Sequence, residues 1–317
     1  MSSIKNEAPL LQFDAVEMEK WGYIWRIGAK VDNSTPALTA LEAGLPVDWA
    51  DIVDEASKAP SAFNKKQGMD FGLVFDRAVG HALSDMLGDV PVVDYARLNA
   101  SKKKVEAAKK ALRLLSKQGG ALVEQDAPAL EAEPEIRWTT NELLPPHSNC
   151  IEVGPVRVIG GIRPQNFDVA YRPDGPRIVY DSKTLNDAKS IPKNWQNMVN
   201  DLGTEATTVH TRFPYAIVAF VVAVPSPAIR QTQLLDLIRT LERLATRNSV
   251  LDQEHLAESI AFIVWNPDTG NVDTGRVPSD SPIHVSNFMQ KIHRCYVERY
   301  KGLPPHDHSE PPVEAQT

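Results

Sequence analysis

Apolar residues along the chain change their spacing near residue 150. Upstream, Phe71, Val74, Phe75, Ala78, Val79, Ala82, Leu83 and Met86 recur at three- and four-residue intervals across 71–87, the period that gives an α-helix one inward face. Residues 1–118 as a whole read as mainly helical. A second helix is predicted over 99–118, where Lys102, Lys103, Lys104, Lys109, Lys110, Arg113 and Lys117 face only Glu106, and Gly119-Gly120 marks its end. Downstream, β-branched and aromatic residues dominate 156–162, 167–171 and 177–183, with Pro173-Asp174-Gly175-Pro176 as a turn between the last two. The spacing predicts a helix over 190–202, with Pro192 in its first turn, Trp195, Met198, Val199 and Leu202 on one face, and Gly203 as its stop. The continuous apolar run 215–224 predicts a central strand covered on both faces. A helix near 231–247, a strand at 260–265 and a helix near 285–300 complete the order βββαβαβα.

That order predicts an α/β fold: an antiparallel meander, then a crossover helix returning the chain to a strand parallel to the third, with a right-handed connection favoured. Helices flank this mixed sheet on both faces, and a helical extension precedes it. Residues 1–150 form the mainly helical N-terminal region, including the basic helix and an acidic linker, 151–302 the α/β core, and 303–317 a flexible acidic tail. The tail offers little to bury against the entropy of ordering it, and His306 and His308 within it read as solvated rather than as a metal site.

Charge changes the picture only once it is located. The 317 residues carry 34 Lys and Arg against 41 Asp and Glu, a net charge of -7. Residues 121–137 contribute five acids and one base and residues 303–317 three acids and no base, so the remainder is neutral and has room for a local basic face that meets phosphate. The longest apolar run is half the roughly 20 residues that cross a bilayer, and the N-terminus lacks a basic region followed by an apolar one. Cys150 and Cys295 stand far apart without CxxC spacing, which argues against a zinc module or disulfide scaffold. A cytoplasmic protein with no membrane partner is expected.

The candidate chemistry lies on the hairpin 167–183. If Asp174-Gly175 is a two-residue turn, cross-strand partners have numbers summing to 349 and Asp168 faces Asp181. Opposed like charges are destabilising, so the pair needs a cation, and Lys183 projects from the same face as Asp181. A type I turn with a bulge at Gly175 instead shifts the pairing by one and sets Asp168 opposite Tyr180. Two aspartates with water and phosphate oxygens suit Mg2+. A bound ion activates water and offsets charge on a scissile phosphate, with a lysine ammonium beside it.

Asp168, twelve intervening residues, then Asp181-Ser182-Lys183 resembles the D…(D/E)xK signature of the PD-(D/E)XK nuclease superfamily, and residues 190–224 resemble its helix and strand continuation. The size, the helical extension and the lack of ATPase or helicase motifs look most like a type II restriction endonuclease. The resemblance spans about 156–265. It implies a restriction-endonuclease-like fold and a Mg2+-dependent endonuclease acting on double-stranded DNA as a homodimer. By the same resemblance, Asp168 and Asp181 ligate the metal, the Ser182 carbonyl adds a ligand and Lys183 activates the attacking water. Phe167 stands where members carry proline. Members also place an acid on a helix before the meander; Asp76, Glu142 and Glu152 are the candidates, with Asp76 preferred for its well-formed helix. Lys189 and Lys193, just past the motif, and Lys102, Lys103, Lys109, Lys110 and Arg113 of the basic helix are candidate DNA contacts.

Blander readings compete at each position. Asp168 and Asp181 alternatively cap a strand end or pair with Arg163 or Arg172 with Lys183 solvated, but burying unpaired acids in an apolar hairpin is costly. The basic helix alternatively presents a solvated face. Trp195 and Tyr180 read as core, and His81 and His210 as structural, with His210 and Arg212 also able to line the cleft. Residues 266–275 read as a hairpin turn rather than a calcium loop. The alternative functions are a non-specific repair or defence nuclease, and a non-catalytic DNA-binding protein on a degenerate nuclease scaffold.

Overall fold

The computed structural model of the chain describes residues 3–27, 63, 65–98, 149–189 and 191–306. Among them, helix α1 (Ala15–Ile27), helix α2 (Lys65–Met86) and the short strand β1 (Val92–Asp94) precede strands β2 (Ile151–Ile159), β3 (Pro164–Tyr171) and β4 (Ile178–Thr184). Helix α3 (Ile191–His210), β5 (Ile217–Pro225), α4 (Gln231–Leu244), β6 (Ser259–Trp265) and α5 (Val285–Tyr300) follow. The sheet has six strands in sequential order. β2, β3 and β4 form the antiparallel meander, and β5 pairs parallel to β4 and β6 parallel to β5. The predicted βββαβαβα order from residue 151 onward is therefore the order observed, and the α/β class with a mixed sheet stands.

β5 is buried at every position, as its unbroken apolar run requires of a strand covered on both faces. On β4 the Tyr180 ring meets Phe288 of α5, and the Ser182 hydroxyl lies under Gly72 of α2. Lys183, of the other parity, reaches Glu205 of α3. Since side chains alternate along a strand, α2 and α5 cover one face and α3 the other. The approach of α2 depends on Gly80: a Cβ there would sit 2.5 Å from Val153 Cγ2 of β2.

Several expectations need correction. The division at residue 150 is not a division of the core, because β1 pairs with β2 and α2 packs on β1 through β4, so one apolar core runs from Met18 to Tyr300. α3 does not stop at Gly203; Leu202, Ala206 and Val209 continue its buried face, and that burial outweighs the roughly 1 kcal/mol that an interior glycine costs. β2 begins at Ile151 rather than 156 and takes Gly154-Pro155 into a bulge, where its pairing with β3 shifts between Val153 and Val156. The tail does not begin at 303. His306 is 3% exposed, its Nε2 is 2.6 Å from the Tyr296 hydroxyl, and Arg177 donates to the Pro304 carbonyl. Residues 307–317, the basic helix 99–118 and the acidic linker lie outside the described residues. As expected, 266–275 turns back on β6, bridging Trp265 to Val272. No helix among the described residues is long and apolar enough to cross a membrane.

Candidate active site

The β3–β4 ladder ends one step short of the two aspartates. Its pairs are Tyr171 with Ile178, Ala170 with Val179 and Val169 with Tyr180, the register in which numbers sum to 349. The tight two-residue turn is not what sets it, for the strands stop at Tyr171 and Ile178. In the connection 172–177, Asp174 takes both Nε and Nη2 of Arg177. Beyond Val169 the strands fork. Ser182 N–H, which an antiparallel ladder would pair with a strand carbonyl, donates instead to the Asp168 carboxylate at 2.9 Å, as does the Ser182 hydroxyl at 3.1 Å. On its other side Asp168 faces the Gly154-Pro155 bulge of β2, so neither neighbouring strand pairs with it. Bulges beside functional sites re-aim a side chain in this way.

Asp181 follows on β4, 7% exposed, with its carboxylate held by Lys183. Lys183 Nζ also lies 2.9 Å from Glu205 Oε1. Asp76 comes to the fork from α2, 3% exposed, and its Oδ1 has no hydrogen-bond partner among the described residues. From the α2 face to the α3 face the carboxyl groups thus run Asp76, Asp168, Asp181. Leu185 N–H and the Arg177 carbonyl are bonded to β5, so odd-numbered residues of β4 turn their peptide groups toward β5. Even-numbered Ser182 turns its N–H and its carbonyl to the fork.

Crowding three acids in a poorly solvated place disfavours their charged forms. Burial, then the hydrogen bond and charge of Asp181, push Asp168 up to about 8, against the pull of Ser182 N–H and hydroxyl. Burial followed by the charge of Asp168 pushes Asp76 well above its ordinary value. Asp181 is also raised by burial, partly restored by its hydrogen bond with Asp168 and by Lys183. Burial alone would lower Lys183, but the charges of Asp181 and Glu205 outweigh it and hold the ammonium form.

As the side chains stand, no group of three or more His, Cys, Asp or Glu residues among those described converges to hold an ion. The chemistry of the donors nevertheless fits Mg2+, which is bound through one or two carboxylates with water and phosphate completing its shell. A buried oxygen without a partner on Asp76 and the crowding of Asp168 against Asp181 are what a bound cation would relieve. The group opens on a cavity of about 680 Å3 between α2, the bulge of β2 and the end of β4, lined also by Lys65, Met69, Asn186 and Asn194. Indole Nε1 of Trp25 on α1 donates to the Asn186 carbonyl and fixes the loop at its rim.

The structure brings together Asp76, Asp168, Asp181, Ser182 and Lys183. It does not bring Glu152 to them. That residue, fully buried on β2, takes Nε and Nη2 of Arg172 at 2.7 and 2.8 Å and the Tyr95 hydroxyl at 3.3 Å. Arg172 is thereby engaged away from both aspartates. Lys189 and Lys193 are exposed, on either side of the start of α3, two residues after Asp187 and one before Asn194, both of which line the cavity. Lys102, Lys103, Lys109, Lys110, Arg113 and Glu142 lie outside the described residues. Tyr180 is core, Trp195 is half-buried against the core, and His210 is buried on Glu258 and the Glu254 carbonyl. Glu205 and Gln165 were not singled out by the sequence; the signal was the apolar period running on through Gly203, which places Glu205 inside a helix.

Comparison with known protein families, with curated proteins and with solved structures finds no match to this chain.

Proposed function

We propose that the chain is a Mg2+-dependent endonuclease that hydrolyses phosphodiester bonds of double-stranded DNA, of the sequence-specific restriction type, acting as a homodimer on a restriction-endonuclease-like fold. The observation that carries this reading is the fork between β3 and β4, where Asp76, Asp168 and Asp181 meet at the floor of a cavity beside Lys183. The fork lies toward the carboxyl ends of the parallel strands β4 and β5, where open α/β sheets present their ligand crevices.

In this reading Asp168 and Asp181 would hold the ion, with the Ser182 carbonyl as a further oxygen and Asp76, the preferred third acid, beside them. When bound, Mg2+ supplies charge stabilisation at the phosphate and lowers the pKa of a water. Lys183 keeps its proton and so acts as a hydrogen-bond donor and positive charge, orienting the attacking water or meeting charge that develops on the phosphate. Asp76 and Asp181, 3% and 7% exposed, place that interaction where water screens it little, which strengthens it. Lys189 and Lys193 offer phosphate contacts outside the cavity.

Incubating the full chain with supercoiled plasmid and Mg2+ tests the reading. Discrete fragments are expected, with Asp168→Ala and Lys183→Ala each slowing cleavage about 100- to 1,000-fold, the cost of losing one preorganised group. Smeared products make it a non-specific nuclease. Retained DNA binding with no cleavage at all makes it a binding protein on a degenerate scaffold, and normal cleavage by Lys183→Ala removes that residue's role.

A further inference from the structure

Glu205 is an acid bonded to Lys183 that has no place in the reading above. It projects from α3, is 4% exposed, and its Oε1 receives both Lys183 Nζ at 2.9 Å and Gln165 Nε2 of β3 at 3.1 Å. Its Oε2 is buried and has no hydrogen-bond partner among the described residues. A carboxylate removed from water on these terms is a poor stabiliser; well-packed apolar side chains in such places are often neutral or better. Its partner explains it. Lysine has a flexible four-carbon stem with many rotamers, so an ammonium required at one point beside a phosphate must be tethered. Asp181 is an unreliable tether, because the same carboxylate is a ligand of the proposed ion.

We propose that Glu205 is a positioning residue for Lys183, holding its ammonium at the fork from the α3 side while Asp181 is engaged by the metal, with Gln165 aiming the Glu205 carboxylate. The inference rests on the nuclease reading. An ammonium has three donors; Asp181 and Glu205 occupy two, and the third is left for water or phosphate oxygen. Three elements meet here, β3 through Gln165, β4 through Lys183 and α3 through Glu205, so the ammonium is fixed by the fold rather than by one flexible strand end.

The test is a double-mutant cycle on the full chain, with supercoiled plasmid and Mg2+. Glu205→Ala is expected to lower kcat about 100-fold, the order of loss that follows when a reacting group is misplaced by about 1 Å. KM for DNA and the Mg2+ concentration for half-activation stay at their wild-type values. Glu205→Gln, which keeps an acceptor oxygen for Lys183, recovers part of the rate. Lys183→Ala/Glu205→Ala is no slower than Lys183→Ala, since a tether with nothing to hold costs nothing. If Glu205→Ala does not fold, as a melting curve would show, Glu205→Gln completes the same cycle. Additive losses, or a raised Mg2+ requirement, would make Glu205 a group acting on its own and overturn the proposal, as would an undiminished kcat in Glu205→Ala. A wild-type chain inert toward plasmid is a separate outcome, which removes the nuclease reading and the role of Glu205 with it.

Discussion

Two buried acids of this protein, Glu152 and Asp76, have opposite relations to their surroundings. Glu152 meets a guanidinium in a two-point contact with Arg172, the geometry in which a buried ion pair recovers most of its desolvation cost. Asp76 meets two other acids and leaves one oxygen bare. The difference separates stability from function. Glu152→Ala strands Arg172 in the core and is expected to lower unfolding free energy by about 3–5 kcal/mol, with the Mg2+ dependence of surviving activity unchanged. Asp76→Asn does the reverse. A carboxyl whose pKa is raised by folding costs stability at every pH above its ordinary value, so the metal-free Asp76→Asn protein should melt no lower than wild type, while cleavage falls and its Mg2+ requirement rises. Urea unfolding of the metal-free proteins and a Mg2+ titration of cleavage check both; a strongly destabilised Asp76→Asn would mean that its carboxylate is a structural partner.

At the scale of elements, what was legible in the sequence was what hydrophobic period encodes. The spacing predicts the final helix near 285–300 and it runs Val285–Tyr300, where buried Phe288, Met289, Ile292, Cys295, Tyr296 and Tyr300 share one helical face and His284 caps its start. The β3–β4 register was legible as one of two alternatives, since both faces of the hairpin are apolar enough for either. What was not legible is the fork itself. It depends on the bulge in β2, and Gly154-Pro155 has no apolar period to announce it, only the general rule that glycine and proline inside a strand mark irregularity. β1 was equally hidden, as three residues hold too little pattern to distinguish strand from loop. The bulge makes a prediction. Gly154 has φ +117, and a Cβ there would lie 3.1 Å from Tyr95 Cβ and 3.2 Å from Ala96 N. Gly175, at φ +135 in the hairpin connection, has nothing within 4 Å of the same position. Both alanine variants bear backbone strain of about 1–3 kcal/mol, but only Gly154→Ala also pushes the bulge and the Asp168 opposite it. Gly154→Ala is therefore expected to lose both stability and cleavage, and Gly175→Ala stability alone. Equal cleavage by the two variants would show that the bulge does not aim Asp168.

At the scale of the molecule, the parallel half is pinned at the end of the sheet opposite the fork. Glu258, just before β6 and 1% exposed, receives Arg247 and Arg299 on Oε1 at 2.9 and 2.8 Å. Its Oε2 receives Val218 N–H of β5 at 2.8 Å and lies 3.2 Å from Nε2 of His210 at the end of α3. One carboxylate thus joins α3, β5, the residues after α4, β6 and α5. Burial by itself would raise its pKa, but the hydrogen bond and charge of His210, the charge of Arg299 and the Val218 N–H outweigh burial, and the net direction is down. The sign of the linkage follows. An acid with a depressed folded pKa contributes its full stabilisation above the ordinary carboxylate value of about 4.3 and loses it as pH falls through that value toward the folded one. Glu258→Gln, which keeps the shape but leaves two buried guanidinium groups without a counter-charge, should cost about 3–5 kcal/mol near pH 7. The gap between wild type and variant should then narrow on acidification, because the wild type is surrendering the same interaction to protons. Urea unfolding of both proteins from pH 7 to pH 3 measures this, and a gap that stays constant across the range would mean that the carboxylate is held by its shape and not by its charge. Because the site lies at the other end of the sheet, any cleavage by Glu258→Gln at a temperature where it remains folded should keep the wild-type Mg2+ dependence.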